Sequence, residues 1–108
     1  MINYYKLDEN KNVVPSSCKE WADFIEGKPP HNYMYVDRTI IDGHCVSTIF
    51  SGICFNLFNN IPIVFETMVF DKDDIPLDYE ARYSTYKEAE EGHQKAVEWV
   101  KNGCKEDE

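Results

Sequence analysis

One stretch, Ile61 to His93, constrains the fold more than any other. It opens with the apolar run IPIVFETMVF, crosses an acidic segment, and enters RYSTYKEAEEGH at the start of a helix. Thr85 and Glu88 have the spacing of a capping box, in which each side chain satisfies a backbone donor that the helix leaves orphaned. Beyond that cap, Tyr86, Ala89, His93, Ala96, Val97 and Val100 share one arc of a helical wheel, with Trp99 at its edge. Gly103 ends the helix. In the preceding strand Ile63, Phe65 and Val69 alternate with Val64, Met68 and Phe70. Apolar residues on both sides mean a central strand covered twice, or one covered once that offers its other side to a partner.

The rest of the chain is punctuated by turns. Ile2 to Leu7 reads as a strand that returns through Val13 and Val14 after the polar turn Asp8 to Asn12. Ser17 and Glu20 form a second capping box, opening a short helix that carries Trp21, Phe24 and Ile25 on one side. Gly27, Pro29 and Pro30 stop it. Tyr33 to Ile41 and His44 to Phe55 flank Asp42-Gly43, a dipeptide suited to a type I′ hairpin turn. Gly52 marks a bulge or a close backbone approach, and Asn56 to Asn60 turns the chain into the apolar strand. The order β-β-α-β-β-β-α predicts an α+β fold: an antiparallel sheet of about four to five strands with two helices, the longer one C-terminal. We expect a single domain over residues 1–103 and an acidic tail over 104–108.

Charge narrows the function classes. Twenty acidic residues against eleven basic ones give a formal net charge of −9. Phosphate-backbone affinity comes from Lys and Arg, so direct nucleic-acid binding is not expected, and anionic membrane surfaces are disfavoured. A protein partner with a basic surface fits this balance. No apolar stretch reaches the 18 or so residues of a membrane span, and the opening MINYYKLDEN lacks a basic-then-apolar signal pattern. Cys18, Cys45, Cys54 and Cys104 show no C-x-x-C spacing; free thiols in a reducing cytosol are the simplest expectation.

Candidate chemistry centres on Glu66 and His93. A carboxylate within an apolar strand is costly unless paired, and Arg82, just ahead of the last helix, is the economical partner; Arg38 and His93 are the others. The expected arrangement is an ion pair tying helix to sheet, with a ligand site or acid–base pair built on Glu66, Arg82, Tyr83 and His93 as the alternative. Asp71, Asp73, Asp74, Asp78 and Glu80, with Tyr79 among them, read as a charged loop suited to a partner. The loop lacks the glycine of a calcium loop, and Arg82 stands where that loop needs an acid. No nucleophile elbow or phosphate loop occurs, and His31, His44 and His93 have no metal-ligand spacing. No catalytic residue, metal or cofactor is therefore assigned.

WADF at Trp21–Phe24, VSTIF at Val46–Phe50, FETMVF at Phe65–Phe70 and RYSTYKEAEEGH at Arg82–His93 together resemble a family of small proteins encoded by bacteriophages and prophages. The likeness runs from about Tyr4 to Val100. The family's central V-S-T-V-F-L-G-L-D-H becomes VSTIFSGICF here, with Cys54-Phe55 in place of Asp-His; any chemistry those two residues perform in relatives is missing. The resemblance implies a phage-type accessory protein of the bacterial host cytosol. Two expectations follow. In the first, the protein binds without catalysis and inhibits or modulates a host defence or nucleic-acid-handling protein, as a monomer or homodimer. In the second, it is a small-ligand binder or small enzyme built around Glu66, Arg82 and His93.

Overall fold

A computed structural model describes residues 2–26, 34–54 and 61–105. It is α+β, as the sequence order indicates, but holds seven strands in two antiparallel sheets. β1 (Asn3–Leu7), β2 (Val13–Ser16) and β5 (Ile53–Cys54) form one, in the order β2-β1-β5. β3 (Met34–Ile41), β4 (His44–Phe50), β6 (Phe65–Phe70) and β7 (Pro76–Tyr83) form the other, in the order β3-β4-β6-β7. Helix α1 (Cys18–Ile25) packs on the small sheet and α2 (Tyr86–Lys101) on the large one.

Local chemistry explains most of these boundaries. Asp8 Oδ1 accepts the N–H groups of Asn10 and Asn12 at 2.8 and 2.9 Å, closing the β1–β2 turn. Pro15 is tolerated because β2 is an edge strand, where a missing donor breaks no ladder. Both capping boxes form as expected, Ser17 with Glu20 and Thr85 with Glu88. Asp42 (φ 50°) and Gly43 (φ 77°) make the type I′ turn joining β3 to β4. At Gly52 (φ 70°) a Cβ would lie 2.6 Å from the Trp21 ring and 2.7 Å from the Tyr5 carbonyl. The close approach expected there is real, and Trp21 Nε1 donates to the Ser51 carbonyl beside it at 2.8 Å. The expected turn at Asn56–Asn60, the helix stop at Gly27 to Pro30 and the last residues of the tail lie outside the described residues.

Two expectations change. The apolar run becomes a strand only from Phe65, residues 61–64 being irregular, and its inward side carries Phe65, Thr67 and Val69 rather than Ile63, Phe65 and Val69. The acidic segment is not a loop. It is a tight turn at 71–75 followed by an edge strand, β7, in which Leu77, Tyr79, Ala81 and Tyr83 are half-buried between exposed polar residues. Charge masked that alternation in the sequence; charged edge strands are also how sheets resist pairing with other chains.

The core divides along α2. Leu7, Ile25, Phe50, Cys54, Val64, Phe65 and Ala89 form one apolar cluster, which joins the two sheets. Val46, Val69, Ala96, Val97 and Val100 form the other, towards the helix C-terminus. His44 Nδ1 donates to the Asp42 carbonyl at 2.8 Å and Nε2 faces Cys104 Sγ at 3.7 Å, which ties the end of α2 to the β3–β4 turn. Among the described residues no helix is long and apolar enough to cross a membrane.

Candidate functional site

Strand alternation sends the residues singled out from sequence to opposite sides of the large sheet. Tyr83 and Tyr79 face α2, the helix that carries His93; Glu66, Arg82, Asp78 and Glu80 face away from it. Glu66 and His93 therefore do not meet, and the four-residue site expected around them is not assembled.

His93 is completely buried between the two apolar clusters. Its Nδ1 lies 2.7 Å from Thr48 Oγ1 and its Nε2 lies 2.8 Å from Thr39 Oγ1, with an Asp37 carboxylate oxygen 3.7 Å away. Thr48 and Thr67 hydroxyls are 2.6 Å apart, and Tyr83 donates to Thr67 at 3.1 Å. One assignment of protons satisfies the whole chain: Tyr83 donates to Thr67, Thr67 to Thr48, Thr48 to Nδ1, and Nε2–H to Thr39. The carboxylate beside Nε2 favours the same tautomer. Asp37 reaches this side because a bulge between Tyr35 and Asp37 shifts the β3–β4 register, pairing Asp37 with Thr48. Burial pushes the His93 pKa below its ordinary value, and the Asp37 charge opposes that shift. Gly92 lets the Tyr83 ring lie directly against the helix backbone. Every buried side-chain polar atom among the described residues has a partner. Both ring nitrogens of His93 are taken up within this network, and His93 touches no solvent.

The outer side is open. Register fixes three rows of side chains there: Ile40, Cys45, Phe70 and Pro76; Arg38, Ser47, Met68 and Glu80; Tyr35, Ile49, Glu66 and Arg82. Glu66 and Arg82 are directly opposed across β6 and β7, with Nε donating to Oε2 at 3.1 Å, and the same guanidinium also pairs with Glu80. The carboxylate was expected to tie helix to sheet; it instead joins two strands on the side away from α2. Its side chain is 28% exposed and that of Arg82 61%, so the pair is worth on the order of 0.2–1 kcal/mol. The hydrogen bond that Arg82 donates to Glu66, then the charge of Glu80, raises the Arg82 pKa further. On one side of Glu66 lies an open groove of about 650 Å³ lined by Ser51, Ile53, Ile63 and Arg82. On the other is a shallow depression formed by Tyr35, Ser47, Ile49, Met68 and Phe70.

The acidic residues expected to meet a partner also divide. Asp71 builds its own turn, with Oδ1 accepting the N–H groups of Asp73 and Ile75 at 2.8 and 3.0 Å. Tyr79 stacks on Trp99 with ring centres 4.8 Å apart and faces the helix. Glu80 is occupied by Arg82. That leaves Asp73 and Asp74 exposed at the turn and Asp78 exposed on the edge strand, none of them in an ion pair among the described residues. Asp42 stands at the same end of the sheet, since the Gly43 turn lies against Lys72. Among the described residues no three His, Cys, Asp or Glu side chains are placed to hold a metal ion.

Sequence reasoning missed Thr39, Thr48, Thr67 and Asp37. Threonine is favoured in strands for its shape, so its hydroxyl gives no signal in a β-rich run. Sequence reasoning names Arg38, Met68 and Glu80 separately but not the row that they form with Ser47, which only the strand register brings together. No protein-family model, curated protein or solved structure matches this chain.

Proposed function

We propose that this protein acts by non-catalytic binding to a protein with a basic surface, which it meets with the acidic end of its large sheet. One observation carries this: Asp73 and Asp74, on a turn whose backbone Asp71 already holds by hydrogen bonds, and Asp78, on the edge strand that follows, are exposed and unpaired among the described residues. A preformed turn loses little entropy on binding, and uncompensated carboxylates steer a cationic surface towards it. The resemblance to phage-encoded proteins supports a bacterial host protein as the target, with inhibition or modulation as the consequence of covering its basic surface. The sealed state of His93 supports binding over catalysis.

The test is site-specific photocrosslinking from position 74 in host cells, compared with the same probe carrying Asp73→Lys and Asp78→Lys. A defined adduct that disappears on charge reversal supports the proposal; an adduct indifferent to both reversals, or none, overturns it. The groove beside Glu66 and Arg82 favours a second function, a small-ligand site anchored by that ion pair without His93. A ligand that stabilises the protein against heat and loses this effect in Arg82→Ala would establish it.

A further inference from the structure

The outer side of the large sheet carries a charge pattern that reads differently across its two edges. Arg38, on the β3 edge, is exposed and its guanidinium has no ion-pair partner among the described residues. Towards the β7 edge, Arg82 is shared by two carboxylates, Glu66 and Glu80, and Asp78 stands on the same side, leaving two negative charges in excess. Between the edges lie Ser47 and Met68, and one row away Ile40, Cys45, Phe70 and Pro76. Ile40 is 65% exposed, a high value for a strand isoleucine, and the central residues are only half-buried.

We propose that this side is the interface of a homodimer, formed by two copies packed sheet to sheet about a two-fold axis parallel to the strands. Symmetry chooses the axis. A two-fold along the strands exchanges the two edges while keeping each row opposite itself. Arg38 of one copy then lies over Glu80 of the other, Ile40 over Pro76, Cys45 over Phe70, and Tyr35 over Arg82. A two-fold across the strands would instead oppose Arg38 to Arg38 and Glu80 to Glu80, which like-charge repulsion disfavours. The first arrangement is isologous and closed, so it stops at two copies. Aligned sheets pack about 10 Å apart with strands crossing at about 30°.

Four strands span roughly 19 Å, and three rows of side chains somewhat less along the strands. That is about 350 Å² at most on each copy, well under the roughly 800 Å² per partner of a standard interface, so the dimer is a weak one that dissociates on dilution. The axis has a further consequence. The β3–β4 and β6–β7 turns lie at one end of the sheet, and an axis along the strands brings both copies' turns to the same end. The dimer presents two sets of Asp42, Asp73 and Asp74 together, which converts the acidic end into a bivalent surface. The dimer itself does not depend on the proposed function.

Sedimentation velocity over a concentration series tests this on the intact chain. The wild type is expected to pass from monomer to dimer, while Arg38→Glu and Glu80→Arg alone each weaken association by roughly tenfold or more. Arg38→Glu is the cleaner variant, because it disturbs no ion pair among the described residues; circular dichroism checks that both fold. Mixing the two variants, or joining them in R38E/E80R, restores opposite charges at both contacts and is expected to restore the dimer. A chain that stays monomeric at hundreds of micromolar overturns the proposal. So does a dimer that neither reversal weakens, since it must form elsewhere, and so does a loss that mixing fails to rescue.

Discussion

On the inner side of the large sheet a hydroxyl or imidazole without a partner would cost about 1–3 kcal/mol, so Thr39, Thr48, Thr67 and His93 are linked from end to end. On the outer side, one strand position away, the Arg38 guanidinium has no ion-pair partner among the described residues, and Glu66 shares Arg82 with Glu80. The same β4 and β6 supply both surfaces. Water makes the difference: under α2 polarity must be used up internally, whereas on the open side it can be held in reserve. Mechanism should therefore be sought where polar groups are unsatisfied, and stability where they are not. The polar layer also separates the two apolar clusters, and this fixes how α2 sits on the sheet, since sliding the helix would break several hydrogen bonds at once.

The largest effect should come from removing the centre of that layer. His93→Leu leaves the buried Thr48 hydroxyl and the half-buried Thr39 hydroxyl without a nitrogen partner, and is expected to cost about 2–4 kcal/mol in urea unfolding. A loss under about 1 kcal/mol would break the comparison, because the inner side would then tolerate unpaired polarity. Gly92→Ala attacks the same layer from its end by forcing the Tyr83 ring off the helix. It is expected to cost about 1–3 kcal/mol, with a change in near-ultraviolet dichroism as the tyrosine moves. Gly52→Ala should fall in the same range, through positive φ and the contact with Trp21.

Acid provides a graded version of the first test. The folded pKa of His93 lies below its ordinary value of 6.5, burial outweighing the charge of Asp37. Between the two values the unfolded chain binds a proton that the folded chain refuses, so stability rises with pH there. The His93 contribution is complete above about pH 6.5 and is lost as pH falls through the folded pKa. Asp37 is the one charged group facing the ring among the described residues; Thr39 and Thr48 are neutral. NMR titration should place the midpoint of the His93 ring signals below pH 6.5, the midpoint of an ordinary histidine. Titration at or above 6.5 would mean the layer is wet.

Much of this architecture was legible because local chemistry decided it. Ser17 with Glu20, Thr85 with Glu88, Asp42-Gly43 and the arc from Ala89 to Val100 each act within a few residues, and each forms as expected. β7 was not legible, because Asp78, Glu80 and Arg82 hide a period-two pattern that only its neighbour β6 makes favourable. The site was less visible still. Glu66 and His93 stand out in the sequence as polar groups among apolar ones, yet which side of a sheet a residue faces depends on where its strand begins. Here Glu66 takes the open side of β6, opposite to Phe65, Thr67 and Val69. The bulge that brings Asp37 to His93 is likewise a property of the β3–β4 pairing, not of any short motif.

The smallest effect belongs to the residue that looked most costly in the sequence. Glu66→Gln removes a charge from the open side but leaves Arg82 paired with Glu80 and keeps an oxygen to accept from Nε. Its expected cost is below about 0.5 kcal/mol, a shift of roughly 2–4 °C in Tm at most for a chain of this size. A cost above about 2 kcal/mol would place Glu66 with the sealed residues and erase the distinction between the two sides. A cost near zero sharpens it: Glu66 can then be changed without disturbing the fold. Any loss of binding in Glu66→Gln must in that case come from the surface itself, from the groove beside Arg82 or from the Ile49 that a second copy would set against it.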